Sequence, residues 1–254
     1  MVKKIIQKIL KKYGYEIVKP DSRLVVNGLP ADFDAQTQKI IQQTKPYTLT
    51  TPERIASLVN AVNYVVDNNI DGDIVECGVW RGGSSMAAIA TLKHKKDFSR
   101  NIFLYDTYEG MSDPTDDDKV ITGTSAKTMM QNSNINDSGS VWCYSSIEEV
   151  KTNIASLNYP TQKLHFIKGK VEDTIPQNIP TKIAILRLDT DWYQSTKHEL
   201  VHLYPLLVSG GVLIIDDYGH WDGARKAVDE YIAEHKLQIL LNRIDYTGRI
   251  AIKS

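Results

Sequence analysis

Residues 182–192 read KIAILRLDTDW, and this stretch decides the fold expected for the whole chain. Its run of β-formers, Ile183 to Leu188, is typical of a buried parallel strand. The run stops abruptly at two carboxylates one residue apart, Asp189 and Asp191. In an open α/β sheet the ligand crevice lies outside the carboxyl ends of the strands. The stretch therefore predicts a strand that opens into a functional site.

The same pattern of an apolar run followed by acids recurs further along the chain. Asp216 lies 27 residues after Asp189 (216 minus 189), and Asp217 follows it directly. Each aspartate alone has an ordinary explanation, because Asp often caps the N-terminus of a helix. If the two strands are parallel neighbours, however, their carboxylates converge and repel one another, and a bound cation holds them together. Oxygen ligands without His or Cys favour Mg²⁺, Mn²⁺ or Ca²⁺ over Zn²⁺.

The composition is that of an ordinary globular protein. The 254 residues are 42% hydrophobic and 24% charged, which suits one large α/β domain and leaves no room for a second full one. A net charge of -1 gives no general electrostatic reason to bind nucleic acid. Cys77 and Cys143 make no disulfide framework, and nothing resembles a signal peptide or a membrane span of about 20 apolar residues. A cytoplasmic protein is expected.

The N-terminal segment, residues 1–46, begins with a basic amphipathic helix at residues 2–13, VKKIIQKILKKY. Its apolar residues recur at helical spacing, with five lysines between them. Such a helix can lie on an anionic membrane, or it can pack on its own domain or on a second subunit. The absence of Trp and Phe favours packing, so we expect a helical segment that forms a lid or an oligomer contact in a homo-oligomer. Another short helix is predicted at residues 35–43.

The next region reads as the first helix, strand and turn of a nucleotide-type domain. Thr51-Pro52-Glu53 predicts a helix start, with an N-cap, a proline at the first helical position and an acid in the first turn. Residues 73–85 predict a short strand, a glycine-rich turn and the start of a helix. Glycines let the backbone approach a ligand closely, and Ser84 and Ser85 can hydrogen-bond a carboxylate or phosphate. The following strand ends in Asp106, the usual position of a partner for a ribose diol.

The glycine spacing in this turn departs from the dinucleotide fingerprint G-x-G-x-x-G. The sequence has Gly78, Gly82 and Gly83, with Glu76 before them. An NAD-dependent oxidoreductase is therefore the weaker alternative, and such an enzyme would also have little use for a second acidic strand end.

A long polar segment, residues 109–139, follows Asp106 and reads as a loop. A long insertion beside a strand end is often a lid or a substrate-selecting loop, and the alternative is a solvated connection without a role. We expect this segment to be mobile without an acceptor and to close over a bound one.

The rest of the chain predicts alternating helices and strands. Ser146 and Glu149 form a capping box at the start of a helix, and a strand at 163–168 leads into Gly169-Lys170-Val171, whose backbone can flank an adenine. Ser209-Gly210-Gly211 is predicted to end the helix that starts at Gln194.

Two last strands, near 238–243 and 248–253, are predicted to form a hairpin. The total is seven strands in a doubly wound α/β fold, with a parallel sheet finished by an antiparallel hairpin.

Five stretches of the chain also carry a specific pattern in a specific order: GDIVECGVWRGGS (72–84), DTYEGM (106–111), LRLDTDWY (186–193), LYPLLVSGG (203–211) and IDDYG (215–219). They resemble the macrocin O-methyltransferase family over about residues 47–254. The resemblance implies a class I, Rossmann-like S-adenosylmethionine-dependent methyltransferase domain with a divalent metal, usually Mg²⁺. It also implies a hydroxyl acceptor, typically on the sugar of a natural product, a nucleotide sugar or a polysaccharide.

The resemblance further implies roles for individual residues. Asp189, Asp216 and Asp217 would ligate the metal, and Asp106 would hold the ribose hydroxyls. The full set implied for the cofactor is Glu76, Gly78, Arg81, Gly83, Ser84, Ser85, Asp106, Thr107, Gly169, Lys170, Val171 and Asp189.

The catalytic base is the position at which the chain departs from related enzymes. In the catechol methyltransferases a Lys three residues after the first acid serves as base, and Trp192 stands at that position here. Asp191 or the metal-bound Asp189 is therefore the candidate. A non-catalytic, methyltransferase-like binding module is the remaining alternative, and it predicts a broken set of metal ligands, whereas all three aspartates are present.

Overall fold

The structure is a computed structural model, and it describes residues 25, 26, 28–137 and 139–254. The basic helix predicted at 2–13 lies outside these residues. The chain divides into two compact units between residues 38 and 39. In the described part of the first unit, β1 (Val25–Val26) pairs antiparallel with β2 (Leu29–Pro30). Helix α1 (Ala35–Thr44) contains the boundary and confirms the short helix predicted there.

The second unit is built on a seven-stranded sheet. Its strands are β3 (Asp73–Cys77), β4 (Ile102–Asp106), β5 (Leu164–Lys168), β6 (Ile183–Leu188), β7 (Leu207–Ile215), β8 (Asn242–Arg243) and β9 (Arg249–Ile252). They lie in the order β5-β4-β3-β6-β7-β9-β8. Strands β3 to β7 are parallel, and β9 runs antiparallel to both of its neighbours. The predicted doubly wound sheet with a final antiparallel hairpin is confirmed.

Helices cover this sheet, and local sequence explains where several begin. They are α2 (Pro52–Asp67), α3 (Gly83–Lys95), α4 (Ala126–Gln131), α5 (Ile147–Ala155), α6 (Val171–Thr174), α7 (Tyr193–Leu203) and α8 (Asp222–Glu234). The Thr51 side chain accepts a hydrogen bond from the Arg54 backbone N–H at the start of α2, and Ser146 caps α5 in the same way. Among the residues that the structure describes, no helix is both long and apolar enough to cross a membrane.

The register of the central strands brings the predicted site residues to one edge. Every residue of β6 is buried, as expected for a strand covered on both faces. Leu188 lies level with Cys77 of β3 and with Ile215 of β7. The Asp189 backbone N–H donates to the Cys77 carbonyl at 2.9 Å, so the strand ends are held side by side.

The prediction that Ser209-Gly210-Gly211 ends a helix is wrong. Helix α7 ends at Leu203, a 3₁₀ turn follows at Tyr204–Leu206, and all three residues lie inside β7. Pro205 has no backbone N–H and ends the helix earlier than the glycines would. The Gly210 N–H instead donates to the Lys253 carbonyl at 2.7 Å, in a bent start of the strand where φ is +80°. The first strand of the final hairpin is also shorter than predicted.

The polar segment 109–139, here called the insert, is more ordered than a loop. It contains α4, and its Val120, Ala126 and Met130 are buried in one cluster with Trp192 and Trp221. Asp118 is fully buried and accepts a hydrogen bond at 2.8 Å from the backbone N–H of Tyr193, the first residue of α7. The insert is thus anchored to the helix that follows the first acidic strand end, and its predicted motion stays a prediction.

Candidate active site

A cavity opens at the carboxyl ends of the parallel strands in the second unit. It encloses about 1070 Å³ of space, part of which is open to solvent. Its walls come from the glycine turn after β3, the ends of β4 to β7, residues 47–50 and the start of the insert. The predicted site residues that line it are Gly78, Ser84, Asp106, Thr107, Gly169, Lys170, Val171, Asp189, Asp191, Asp216 and Asp217. Most of the residues chosen from the sequence therefore share one cavity.

Four predicted cofactor residues lie behind the wall instead of lining it: Glu76, Arg81, Gly83 and Ser85. Arg81 donates to Glu149 Oε1 at 2.6 Å and to the Pro46 carbonyl at 2.9 Å. A Cβ on Gly83 would lie 2.5 Å from the Tyr47 carbonyl oxygen, so a side chain there would push residues 47–50 away. These residues shape the cavity from outside, and their contact with the cofactor remains a prediction.

The glycine turn packs directly on the first acidic strand end. Gly78 has φ +83°, and a Cβ at this position would overlap the Asp189 carbonyl. Only a glycine satisfies both the left-handed backbone and this close approach. The turn after β3 and the Asp189 backbone therefore form one continuous surface.

Asp106 has a structural role as well as a place in the cavity wall. Its Oδ2 accepts hydrogen bonds from the backbone N–H groups of Val79 at 2.7 Å and Trp80 at 2.9 Å. Its Oδ1 accepts from the Tyr108 N–H at 2.7 Å. Burial raises the pKa of Asp106, and these backbone hydrogen bonds act against the rise. The carboxylate is thus fixed in orientation before any ligand arrives.

Arg187 is the first of two arginines in the site that sequence reasoning missed. Its side chain is buried inside β6, where Nη1 donates to Glu76 Oε1 at 2.8 Å and to Asp189 Oδ2 at 2.7 Å, and Nη2 donates to Asp216 Oδ1 at 2.6 Å. The guanidinium suits this position because its planar fork holds several carboxylates while keeping its charge. Burial raises the pKa of Glu76 to about 7, and the Arg187 charge opposes the rise.

A second arginine holds Asp216 from the opposite side. Arg54 of α2 forms ion pairs with Asp216 and, at 3.0 Å, with Asp245 in the final hairpin. Asp245 also accepts a hydrogen bond from the Thr51 hydroxyl at 2.6 Å. Both oxygens of the buried Asp216 are therefore bonded to arginines.

Asp189, Asp216 and Asp217 form the group of acids that could hold a metal. Each offers an oxygen, and these atoms lie within 4.8 Å of one another. Burial raises the pKa of Asp217 to about 7, and the charge of Asp189 adds to the rise. Three crowded carboxylates, two of them buried, are a donor set that a hard divalent cation stabilises, so the residues fit such an ion. Asp216 fits least, because its two arginines already balance its charge.

Asp191 lies beside this group in an unusual backbone conformation. Its φ is +63°, and its backbone N–H donates to Asp217 Oδ2 at 3.2 Å. Burial raises its pKa well above the ordinary range, with the Asp217 charge adding to the effect. The side chain lines the cavity, so both acids of the first strand end face the same space.

The sequence did contain a signal for Arg187. A charged residue stands at position 187 in a strand that is otherwise apolar and buried, and such a residue needs oppositely charged partners. Arg54 gave no comparable signal, because a basic residue on an amphipathic helix is ordinary.

The sheet order and the cavity at its carboxyl edge define the class of protein, a class I methyltransferase. The chain belongs to the macrocin-O-methyltransferase (TylF) family, whose profile matches residues 11–252. It is an S-adenosylmethionine-dependent O-methyltransferase.

Individual relatives agree with this assignment. The 8-demethyl-8-(2,3-dimethoxy-alpha-L-rhamnosyl)-tetracenomycin-C 4'-O-methyltransferase of Streptomyces olivaceus is 30% identical over 244 residues, which are 96% of this chain and 89% of that protein. The demethyldecarbamoylnovobiocin O-methyltransferase of Streptomyces niveus is 32% identical over 202 residues, 80% of this chain and 74% of that one. The solved structure of the O-methyltransferase NovP matches with a TM-score of 0.72 at 29% identity and covers 82% of each chain. The methyltransferase prediction is confirmed over the NAD-dependent alternative.

Proposed function

We propose that this protein methylates a hydroxyl on the sugar of a small glycosylated acceptor and that Mg²⁺ assists the reaction. The observation that carries the proposal is the junction of two surfaces in one cavity. The glycine turn of the cofactor wall packs on Asp189, and Asp189 also belongs to the acidic group. The sugar is supported by the relatives, one of which is named for a rhamnosyl-bearing tetracenomycin.

The positions of the lining residues support the cofactor roles that we propose. Asp106, fixed by three backbone N–H groups at the end of β4, would accept hydrogen bonds from the ribose hydroxyls. Ser84, at the start of α3, would bind the carboxylate of the methionine part. Residues 169–171, which also line the cavity, would flank the adenine. S-adenosylmethionine supplies an activated methyl group, so the protein's task is to orient the acceptor oxygen and exclude water.

Asp189 and Asp217 would hold the metal, with Asp216 completing the group. When bound, Mg²⁺ supplies positive charge that lowers the pKa of an acceptor hydroxyl and fixes two neighbouring oxygens. Ion pairs fix the side chains of two of these acids: Arg187 bonds Asp189 and Asp216, and Arg54 bonds Asp216. Mn²⁺ or Ca²⁺ would meet the same oxygen donors.

Asp191 is our candidate for the general base. It lines the cavity next to the acidic group, and the bond from its backbone N–H to Asp217 fixes its distance from the proposed ligands. In its ionised form the Asp191 carboxylate can take the proton of the acceptor hydroxyl as the oxygen attacks, and its raised pKa makes that form a stronger base. Met111 and Ser112, at the start of the insert, line the same cavity and are placed to contact the acceptor.

The test is a methyl-transfer assay with S-adenosylmethionine and a panel of glycosides and nucleotide sugars, read by mass spectrometry. We expect a gain of one methyl group with at least one glycoside, and loss of turnover in EDTA that Mg²⁺ restores. Asp191→Asn should lower the rate about 100-fold or more, the usual range for a general base. Asp217→Asn should raise the Mg²⁺ concentration required for half-maximal turnover.

The matched control is Asp116→Asn, the same change at an exposed acid of the insert, and it should leave turnover unaltered. Full activity in EDTA would contradict the metal part of the proposal. Failure to methylate any sugar while a non-sugar hydroxyl is methylated would contradict the acceptor class.

A further inference from the structure

We propose that Glu199, buried in α7 behind the cavity, is a positioning residue that holds the turn Asp189-Thr190-Asp191 through the hydroxyl of Thr190. The proposal rests on the proposed function, because this turn carries the candidate base and a candidate metal ligand. Glu199 does not line the cavity and would touch neither cofactor nor acceptor.

One hydrogen bond connects Glu199 to the turn. The Thr190 hydroxyl donates to Glu199 Oε1 at 2.9 Å, across nine residues of chain. Glu199 is fully buried, and its other oxygen, Oε2, has no hydrogen-bond partner among the residues that the structure describes. A buried acid with an unsatisfied oxygen destabilises the fold, so its presence calls for a compensating role. The Thr190 bond is the contact through which Glu199 reaches the site.

The turn needs such a contact because its backbone is strained. Asp191 adopts a left-handed conformation, with φ +63°, which is unfavourable for a residue with a side chain. The Trp192 N–H closes a tight turn on the Thr190 carbonyl at 2.7 Å. Without an anchor on Thr190, the backbone can relax toward an ordinary conformation, and the Asp191 carboxylate would then leave its place beside Asp217. The Glu199 bond resists this relaxation from the inner side of the turn.

The chemistry of Glu199 suits this task beside so many acids. Burial raises its pKa well above the ordinary range, and the charges of Glu172, Asp217 and Asp189 raise it further. The raised pKa favours the protonated form of Glu199, which adds no negative charge to the cluster. An amide has the same shape and no charge, so glutamine should perform the same role.

Three single variants and one double variant test the proposal in the methyl-transfer assay. Glu199→Leu and Thr190→Val should each lower kcat about 10- to 100-fold, the scale of a misplaced catalytic group. Glu199→Gln should keep kcat within about 3-fold, because it retains the contact. Affinity for S-adenosylhomocysteine should stay within about 3-fold in the two Glu199 variants, since Glu199 does not line the cavity. The double variant Glu199→Leu, Thr190→Val should be no slower than the worse single variant.

Thr196→Val is the matched control. It makes the same change as Thr190→Val, at a buried threonine of α7, the helix that carries Glu199, and it should leave kcat unaltered. Unaltered kcat in Glu199→Leu would overturn the proposal, and so would equal losses in Glu199→Gln and Glu199→Leu. The proposal would also be overturned if the fold-loss of kcat in the double variant equalled the product of the fold-losses in the two single variants. A double-mutant cycle on melting temperature decides the Thr190–Glu199 coupling independently of turnover. If the unaltered protein methylates no acceptor, the proposed function fails, and the cycle alone then decides the contact.

Discussion

Replacing Arg187 with methionine removes the guanidinium that bonds Glu76, Asp189 and Asp216. Glu76 and Asp216 are almost completely buried, so the change leaves two buried carboxylates without this partner. Breaking a buried ion pair by removing one partner destabilises by about 3–5 kcal/mol. At about 2–4 °C per kcal/mol for a protein of this size, the melting temperature should fall by about 6–20 °C. Circular dichroism in EDTA measures the change without a divalent cation that could replace the lost charge.

Two companion variants make this test specific. Lys182→Met removes a cation from an exposed pair with Asp71 near the start of the same strand, and solvent screening should leave its melting temperature nearly unaltered. Adding Glu76→Gln to Arg187→Met removes one of the carboxylates that lost the guanidinium, and it should recover part of the fall in melting temperature. A melting temperature for Arg187→Met within about 2 °C of the unaltered protein would refute the reasoning, because it would mean that the carboxylates do not depend on the guanidinium.

Three further predictions concern the cavity wall and the insert. Asp106→Ala should weaken S-adenosylhomocysteine binding by about 1.5–3 kcal/mol, the range for hydrogen bonds to a charged group, and calorimetry showing equal affinity would remove Asp106 from the ribose. Gly78→Ala should destabilise by more than about 1 kcal/mol and weaken the same ligand, because the new methyl group overlaps the Asp189 carbonyl; denaturant titration checks this. Asp118→Ala should speed hydrogen exchange at the start of α7, because Tyr193 loses its partner; equal exchange in the two proteins would contradict an anchored insert.

The sheet and the acidic strand ends could be predicted because their signals are local. A buried apolar run that stops at a pair of acids is visible within a dozen residues, and the right-handed parallel arrangement then brings the strand ends together. The two strands that end in acids, β6 and β7, are parallel neighbours in the sheet, which is the condition that the convergence of their carboxylates required.

The arginine contacts could not be predicted because they join distant parts of the chain. Arg54 reaches Asp216 across 162 residues, and Arg187 reaches Glu76 across 111. The charged residue at position 187 indicates that acidic partners exist, but no pattern within a window of sequence identifies them. The ordered structure of the insert was missed for a related reason. Its sequence is mostly polar, and the few apolar side chains that stabilise it pack on Trp192 and Trp221, which are distant in the chain. A homo-oligomer and a cytoplasmic location stay predictions from the sequence.

The bond between Asp245 and Arg54 ties the turn of the final hairpin to helix α2, which lies far earlier in the chain. Its members lie far apart in the sequence, because 191 residues separate Arg54 from Asp245 and 162 residues separate Arg54 from Asp216. Only when β9 has paired antiparallel with β7 does Asp245 complete the set of bonds around Arg54 and Thr51. Such long-range pairing forms slowly, after the local contacts. Binding of S-adenosylhomocysteine should therefore appear late in refolding, after helix formation, and would indicate that the final hairpin has paired.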